Sequence, residues 1–132
     1  MAEINPYLTF NGNCREAMQF YQSCLGGELT MQTVEESPMA KQWPVDAQKH
    51  VLHARLENES LVLLGSDMGG DQHLVTGNVI SLALGCSSEE EINRFFKNLS
   101  EGGRVVHPLH RFFNGTIASL TDKYGLNWVL KF

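Results

Sequence analysis

The sequence predicts an α+β fold made of two βαβββ halves within a single domain, residues 1–132. The first observation is that one order of predicted elements, a strand, a helix and three strands, occurs twice. The second is a repeated helix pattern of two adjacent aromatic residues, a leucine and a pair of glycines. The pattern occurs at Phe20-Tyr21, Leu25 and Gly26-Gly27, and again at Phe95-Phe96, Leu99 and Gly102-Gly103. Each helix would bury one apolar stripe on its own sheet, and each glycine pair would allow a sharp turn into the next strand.

The first half covers about residues 1–66. Asn13 is the predicted N-cap of its helix because Glu16 follows three residues later, and the glycine pair ends that helix. A polar stretch around Trp43 separates the second strand from a hairpin. The predicted elements are a strand at 4–10, a helix at 14–25, and strands at 28–34, 50–56 and 61–64.

The second half covers about residues 79–132 and follows a glycine-containing connection at 67–78. Ser87 or Ser88 caps its helix, which ends at the second glycine pair. The predicted strands are 79–85, 104–107, 116–120 and 127–132. Neither half can bury its sheet faces alone, so the halves should pack together or swap with a second chain.

Charge and cysteine usage exclude several classes of protein. The net charge of −5 argues against nucleic-acid binding, which needs a concentrated basic surface. The three cysteines, Cys14, Cys24 and Cys86, have no zinc-site or redox-pair spacing and fit a reducing compartment. Residues 1–10 lack the regions of a signal peptide, and no stretch is long enough to span a bilayer. We therefore expect a cytoplasmic protein without nucleic-acid or membrane partners.

Several segments that run from one end of the chain to the other carry a family resemblance. They are Tyr7 to Met18, Phe20-Tyr21, Leu25 to Glu28, His53-Ala54, Pro108-Leu109, Phe113 to Gly115, Leu120 to Asp122, Tyr124-Gly125 and Trp128. In these segments the chain resembles the PhnB-like branch of the vicinal oxygen chelate superfamily, which includes glyoxalase I, bleomycin-resistance proteins and extradiol dioxygenases. The resemblance implies eight strands in two curved mixed sheets around a ligand cavity, and a homodimer. Relatives often have Phe-Trp-Gly where this chain has Phe113-Asn114-Gly115, so any ligand contact of that tryptophan is lost.

Metal-using members of the superfamily bind a divalent ion with His and Glu side chains on the first and last strands of each half. Carried onto this chain, the four ligand positions fall on Pro6, on Val62 or Leu63, near Ser81, and on Val129. Proline and aliphatic side chains cannot replace imidazole or carboxylate ligands. We therefore expect neither a metal ion nor another cofactor.

The histidines leave a nonstandard metal site open without supplying a convincing ligand pair. Their positions are His50 and His53, which should face opposite sides of a strand, His107 and His110, which flank Pro108 in a predicted turn, and His73 in the connection. Many similar sequences carry a quinone-methyltransferase name. No glycine-rich loop follows a strand within a βαβ unit here, so we do not expect an S-adenosylmethionine site.

Strand alternation predicts which side chains would line the cavity. In the strand at 50–56, Leu52, Ala54 and Leu56 would pack under a helix, which leaves His53 and Arg55 on the concave face. The same reasoning turns Leu8, Ala83 and Lys131 inward, and the predicted ligand-binding residues are Phe10, His53, Arg55, Ser81 and Asn127. An aromatic ring, an imidazole and a guanidinium suit a small anionic or polar-aromatic ligand.

Each of these residues also has a structural interpretation. Phe10 and Trp128 fit a core, His53 fits a hydrogen-bonded position in a sheet, and Arg55 can pair with Glu57 or Glu28 at the surface. Asp67 is expected to cap the next turn, and Trp43 fits a lid or a dimer contact.

Three functional hypotheses follow. The first is a metal-independent protein that binds a small molecule. The second is a metal-dependent lyase, isomerase or dioxygenase of the glyoxalase type with displaced ligands. The third is a dimeric structural or regulatory module without a small ligand. Fold alone does not assign a reaction.

Overall fold

The computed structural model describes residues 2–67 and 73–132. The chain forms two compact units, unit 1 up to Leu74 and unit 2 from Val75 onward. Part of the predicted connection at 67–78, including Gly69-Gly70, lies outside the described residues.

Unit 1 contains one helix and one four-stranded mixed sheet. Its elements are β1 (Tyr7–Thr9), α1 (Cys14–Leu25), β2 (Glu28–Thr33), β3 (Val51–Glu57) and β4 (Val62–Ser66), with short 3-10 helices at Ala40–Gln42 and Val45–Ala47. The strand order in the sheet is β1-β4-β3-β2. The β1–β4 pair is parallel, and the other pairs are antiparallel.

Unit 2 repeats this topology. Its elements are β5 (Leu82–Gly85), α2 (Glu89–Ser100), β6 (Arg104–Phe112), β7 (Gly115–Thr121) and β8 (Asn127–Lys131). The strand order is β5-β8-β7-β6, and β5–β8 is the parallel pair. The predicted α+β fold with two βαβββ halves and two mixed sheets is confirmed.

Strand β6 is longer than predicted. The sequence places its end at His107 and a turn around Pro108, whereas the strand continues to Phe112. Proline lacks the N–H that a central strand must donate, but an edge strand with bulges tolerates it. Strand β6 is an edge strand, and its pairing with β7 shifts register on both sides of His107.

Each helix packs on one face of its own sheet. Helix α1 contacts β2, β3 and β4, and α2 contacts β6, β7 and β8. A Cβ atom added to Gly65 would lie 3.1 Å from the Met18 Sδ atom, which shows how closely α1 approaches β4. The predicted core position of Trp128 is confirmed, because its side chain is buried.

The repeated glycine pairs have a packing cause in both units. A Cβ atom on Gly27 would lie 2.8 Å from the Glu57 carbonyl oxygen at the end of β3. A Cβ atom on Gly103 would collide with the Thr121 carbonyl oxygen at the end of β7, the equivalent strand. The second glycine of each pair is therefore needed because the backbone runs against the end of a neighbouring strand.

A buried carboxylate joins three elements of unit 1. Oδ1 of Asp67 accepts hydrogen bonds from the Gly12 and Cys14 backbone N–H groups at 2.8 and 3.0 Å. Oδ2 accepts from the Val51 N–H at 2.9 Å, at the start of β3. Asp67 follows β4 directly, so its side chain links the ends of β4, α1 and β3.

This arrangement corrects one prediction about capping. Asn13 occupies the N-cap position of α1, but its side chain makes no capping hydrogen bond. The turn that Asp67 is predicted to cap lies outside the described residues, and within them Asp67 caps α1, more than fifty residues earlier in the chain. A negative charge at a helix N-terminus also interacts favourably with the helix dipole.

Removing the Asp67 carboxylate should destabilise the protein strongly. In Asp67→Ala, three N–H groups lose their acceptor, and we expect a loss of at least about 2 kcal/mol in the free energy of unfolding. In Asp67→Asn, an amide N–H would face a backbone N–H, so a loss remains. Urea denaturation followed by circular dichroism measures both variants. Asp46→Asn, at an exposed position, is the control, and equal stability of all proteins would contradict this role for Asp67.

Candidate functional site

The sheet face turned away from the unit's own helix is here called the distal face. Gly65 faces α1 and pairs with Ala54, so both lie on the helix side of the unit 1 sheet. Their neighbours alternate to the other side. His53 and Arg55 therefore lie on the distal face of β3, as predicted, together with Glu57.

Arg55 is held by an ion pair on this face. Its Nη2 donates to Glu57 Oε2 at 2.8 Å, and the two side chains are 38% and 52% exposed. The hydrogen bond and the charge of Glu57 raise the pKa of Arg55, and those of Arg55 lower the pKa of Glu57. Because the pair is exposed, it contributes little stability. It does orient the guanidinium, which keeps further N–H donors for another partner.

The His53 side chain is exposed on the same face. His53 pairs with Gln32 of β2 in the sheet register. Across residues 2–67 and 73–132, its imidazole has no hydrogen bond or ion pair. The interpretation of His53 as a histidine satisfied within the sheet is therefore not supported by any contact in this part of the chain.

A bulge at the start of β3 changes the predicted helix-side residues. Gln32 pairs with His53, but Thr33 pairs with Val51, which leaves Leu52 as an extra residue. Such a bulge inverts the alternation locally. Val51 is therefore buried where Leu52 was expected, and Leu52 is only half-buried.

Strand β1 does not follow the predicted orientation. Leu8 pairs with Gly65, so Leu8 lies on the helix side, and alternation puts Phe10 there too. Phe10 is 7% exposed, in agreement with its interpretation as a core residue. The prediction that Phe10 lies on the same face as His53 was wrong. The orientation of β1 depends on the register of the parallel β1–β4 pair, which the local sequence pattern does not show. Tyr7, which is 57% exposed, is the aromatic residue on the distal face that sequence reasoning missed.

Two predicted ligand residues lie in unit 2. Asn127 is on the distal face, paired with Thr121, and its amide oxygen accepts from the Thr121 hydroxyl at 2.9 Å. Its amide nitrogen donates to the Gly77 and Ile80 carbonyl oxygens at 3.0 and 3.2 Å. These bonds fix the segment before β5, so the Asn127 side chain already has partners. Ser81 is exposed in that segment, next to β5.

The residues at the superfamily's metal positions do not fit a metal ion. Val62 pairs with Glu57 and lies on the distal face, whereas Leu63 is buried on the helix side, which resolves the one-residue ambiguity. Val129 pairs with Ser119 on the distal face of unit 2. Neither these side chains nor Pro6 carries a donor atom, and one hydroxyl at Ser81 does not complete a metal site. Within the described residues, no group of three or more His, Cys, Asp or Glu side chains could hold an ion.

The prediction that His107 and His110 lie in a turn was wrong. Both lie in β6, and they pair with Ser119 and Ile117. Because Ser119 and Ile117 are two residues apart on β7, the two histidines share the distal face.

Two of the three cysteines, Cys14 and Cys86, are poor nucleophiles because of their surroundings. Burial, and then the charge of Asp67, raise the pKa of the Cys14 thiol to about 12. Burial, and then the charge of Glu91, raise the pKa of Cys86. Because the thiolate is the reactive form, the raised pKa values make both thiols weaker nucleophiles.

At both helix N-termini, some of the N–H groups already have an acceptor within the chain. Asp67 is that acceptor at α1, as described above. At α2, the Ser88 hydroxyl accepts from the Glu91 N–H at 3.0 Å, and Glu91 accepts from the Ser87 N–H at 2.8 Å. The Glu91 and Ser87 N–H groups are therefore not available to a ligand. In the described part of the chain, neither helix has the length and apolar character needed to cross a membrane.

Comparison with known proteins agrees with this fold. The family model described as 3-demethylubiquinone-9 3-methyltransferase matches residues 2–131. Protein YjdN of Escherichia coli (strain K12) is 28% identical, over 96% of this chain and 92% of that protein.

Two solved structures are also similar along the whole chain. Protein PA1353 from Pseudomonas aeruginosa is 36% identical, with a TM-score of 0.86 over 98% of this chain and 96% of that one. The PhnB protein from Bacillus cereus is 26% identical, with a TM-score of 0.77 over 98% of both chains. Glyoxalase/bleomycin resistance proteins from Albidiferax ferrireducens and Alicyclobacillus acidocaldarius, 15% identical with TM-scores of 0.69 and 0.56, share the fold alone.

Proposed function

Because this chain belongs to the 3-demethylubiquinone-9 3-methyltransferase family, the PhnB-like branch of the vicinal oxygen chelate superfamily, we propose that it binds a small organic molecule without a metal ion. The observation that carries the proposal is the set of side chains on the distal faces. Side chains without donor atoms, Val62 and Val129, stand where metal ligands would be needed. Polar side chains that can contact an organic ligand stand beside them.

The distal face of unit 1 supplies the ligand chemistry. Arg55, held by Glu57, offers remaining guanidinium donors, and His53 offers an imidazole without a partner in the described residues. Tyr7 pairs with Leu64, and Leu64 pairs with Arg55, so the phenol ring and the guanidinium share one row across the sheet. A phenol, an imidazole and a guanidinium on one face suit a small anionic or polar-aromatic ligand.

We do not assign methyl transfer to this chain, although the family description names it. Among the described strands, each sheet contains a single parallel pair, β1–β4 or β5–β8. A nucleotide-type site needs a helix N-terminus with free N–H groups at the end of a parallel strand. Here Asp67 already accepts from the Cys14 N–H of α1, and Ser88 already accepts from the Glu91 N–H of α2.

A metal-dependent enzyme of the glyoxalase type with displaced ligands is the second candidate. The observation in its favour is the shared face of His107 and His110. Nδ1 of His110 lies 2.7 Å from the Pro108 carbonyl oxygen, which fixes Nδ1 as the donor and leaves Nε2 as a potential ligand atom. Two histidines alone do not complete a tetrahedral or octahedral site, so we rank this function second.

We further propose that the protein acts as a cytoplasmic homodimer. Free cysteines fit a reducing compartment. Phe113, at the tip of the β6–β7 hairpin, is 88% exposed, and its backbone φ is 55°, which is unusual for an aromatic residue. Phe112 packs edge-on against it at a centroid distance of 4.5 Å. An exposed aromatic pair on a strained turn supports contact with a second copy.

Ligand binding should depend on the distal face of unit 1. In a thermal-shift screen of small carboxylates, phosphates and hydroxylated aromatics, we expect at least one compound to raise Tm by about 3 °C or more. Calorimetry on that compound should show about tenfold weaker binding for Arg55→Gln and for His53→Gln, because each variant removes one hydrogen-bonding group.

Lys49→Gln is the matched control for this experiment. Lys49 is also in unit 1 and also forms an exposed ion pair, with Glu35 at 3.0 Å. Its loss should leave affinity unchanged. A screen without any hit, or equal loss in Lys49→Gln, would refute the proposal.

Dimer formation should depend on Phe113. Light scattering after size exclusion should give a mass of twice 14.8 kDa for the wild type. Phe113→Asn removes the aromatic ring and suits the left-handed backbone, so it should weaken the dimer without unfolding the turn. Val45→Asn, also at an exposed apolar residue, should remain dimeric. A monomeric wild type would rule out the dimer, and an unaltered Phe113→Asn dimer would rule out this surface.

A further inference from the structure

Two register shifts in β6 bring basic side chains onto one face. Val105 pairs with Leu120, and His107 pairs with Ser119, so Val106 is an extra residue. His110 pairs with Ile117, which leaves one more extra residue between the two histidines. Bulges of this kind re-aim side chains and are frequent beside functional sites.

The shifts align residues that a regular strand would separate. Each of the three basic residues is three positions after the one before it: Arg104, His107 and His110. In a strand without bulges, side chains three positions apart lie on opposite faces. In β6 they pair with Thr121, Ser119 and Ile117, which all lie on the distal face of β7. Consecutive members are thus about 7 Å apart along the sheet, the spacing of two strand residues.

The surrounding charges make this face basic although the protein is acidic. Lys131 of β8 pairs with Ile117 and adds a further cation to the same face. The acidic side chains of unit 2 lie elsewhere. Four are at the two ends of α2, namely Glu89, Glu90, Glu91 and Glu101. Asp122 lies on the helix side, where it accepts a hydrogen bond from the Trp128 Nε1–H at 2.9 Å. The described distal positions of β5 to β8 therefore hold basic and neutral residues without an acidic one.

An unmatched hydroxyl lies in the middle of this face. Ser119 pairs with His107 on one side and with Val129 on the other. Its hydroxyl oxygen is buried and has no hydrogen-bond partner in the described chain. The rows that contain Arg104 and Lys131 flank the Ser119 row on its two sides. A buried hydroxyl is normally paired with protein, water or a ligand, so the Ser119 hydroxyl is able to pair with a bound anion.

We propose that Arg104, His107, Ser119 and Lys131 form an oxyanion site on unit 2 that binds a phosphate or carboxylate group. The proposal adds a ligand class to the binding function above, and it rests on that function. Cations that only protect a sheet edge from aggregation would serve on either face and would need no alignment. The two bulges and the unmatched Ser119 hydroxyl are accounted for by an anion on this face.

The test is a titration of the full-length, isotope-labelled chain with inorganic pyrophosphate, and separately with citrate, at low ionic strength. Amide chemical shifts in β6, β7 and β8 should change and saturate. Arg104→Gln and His107→Gln should each weaken binding about fivefold to tenfold, as expected for the loss of a charge-assisted hydrogen bond. Tighter binding of pyrophosphate would identify a phosphate ligand, and tighter binding of citrate a carboxylate ligand.

Arg111→Gln is the matched control. Arg111 is also in β6, but it pairs with Thr116 on the side opposite to His110, so its loss should change affinity less than about twofold. Ser119→Ala adds a second criterion. If the Ser119 hydroxyl is only an unpaired buried group, Ser119→Ala should leave anion affinity unchanged and stability equal or higher. If the hydroxyl contacts the anion, Ser119→Ala should bind the anion more weakly, again at equal or higher stability.

Equal loss in Arg111→Gln, unchanged affinity in Ser119→Ala, or the absence of saturable shifts in β6 to β8 would overturn the oxyanion site. The proposed function can fail separately. If pyrophosphate binds but no organic ligand is found, the oxyanion site stands and the proposed binding function fails. Organic ligands that bind unit 1 through Arg55, without saturable anion binding in unit 2, would retain the binding function alone.

Discussion

The Asp67 carboxylate is the interaction on which the geometry of unit 1 depends. By accepting hydrogen bonds from Gly12, Cys14 and Val51, it sets where α1 begins and where β3 leaves the loop. The helix then covers one face of the sheet, and Gly65 allows it to approach closely. His53 and Arg55 are consequently turned to the other face. The same carboxylate accepts hydrogen bonds at the N-terminus of α1, so the Gly12 and Cys14 N–H groups are not available to an anionic ligand.

The features that the sequence predicts well are local. The helix of unit 1 runs from Cys14 to Leu25 as expected, because its apolar period, preceding loop and closing glycines all lie within a short stretch. The repeated glycine pairs are visible in the sequence because both units have the same packing requirement. At Gly27 and at Gly103 the backbone lies against the end of a neighbouring strand, so only glycine fits. The fold class and the family resemblance predicted from the sequence are confirmed.

The features that the sequence does not predict depend on pairing between distant segments. Asp67 caps a helix that begins 53 residues earlier, which no local pattern records. Phe10 was turned the wrong way because the register of β1 is set by its parallel partner, β4. The bulges in β3 and β6 reverse alternation, so Leu52 was misplaced and the shared face of His107 and His110 was missed. Ligand binding by His53, Arg55, Ser81 and Asn127 stays a prediction.

The two distal faces differ in chemistry although the units share a topology. Unit 1 presents Tyr7, His53 and Arg55, with carboxylates beside the guanidinium, whereas unit 2 presents basic residues around Ser119. In both, the superfamily's metal positions carry aliphatic side chains, Val62 and Val129. This combination argues for recognition of an organic ligand by hydrogen bonds and charge, and against Lewis-acid chemistry at those positions, because aliphatic groups cannot bind an ion.

The metal content of the untagged protein, measured by mass spectrometry alongside melting curves with zinc, nickel, manganese and iron(II), tests this central claim most directly. We predict far less than one ion per chain and a Tm that each metal changes by less than about 1 °C, because no ion binds the folded state selectively. A stoichiometric ion, or a rise in Tm of several degrees with one metal, would contradict the account and favour the enzyme.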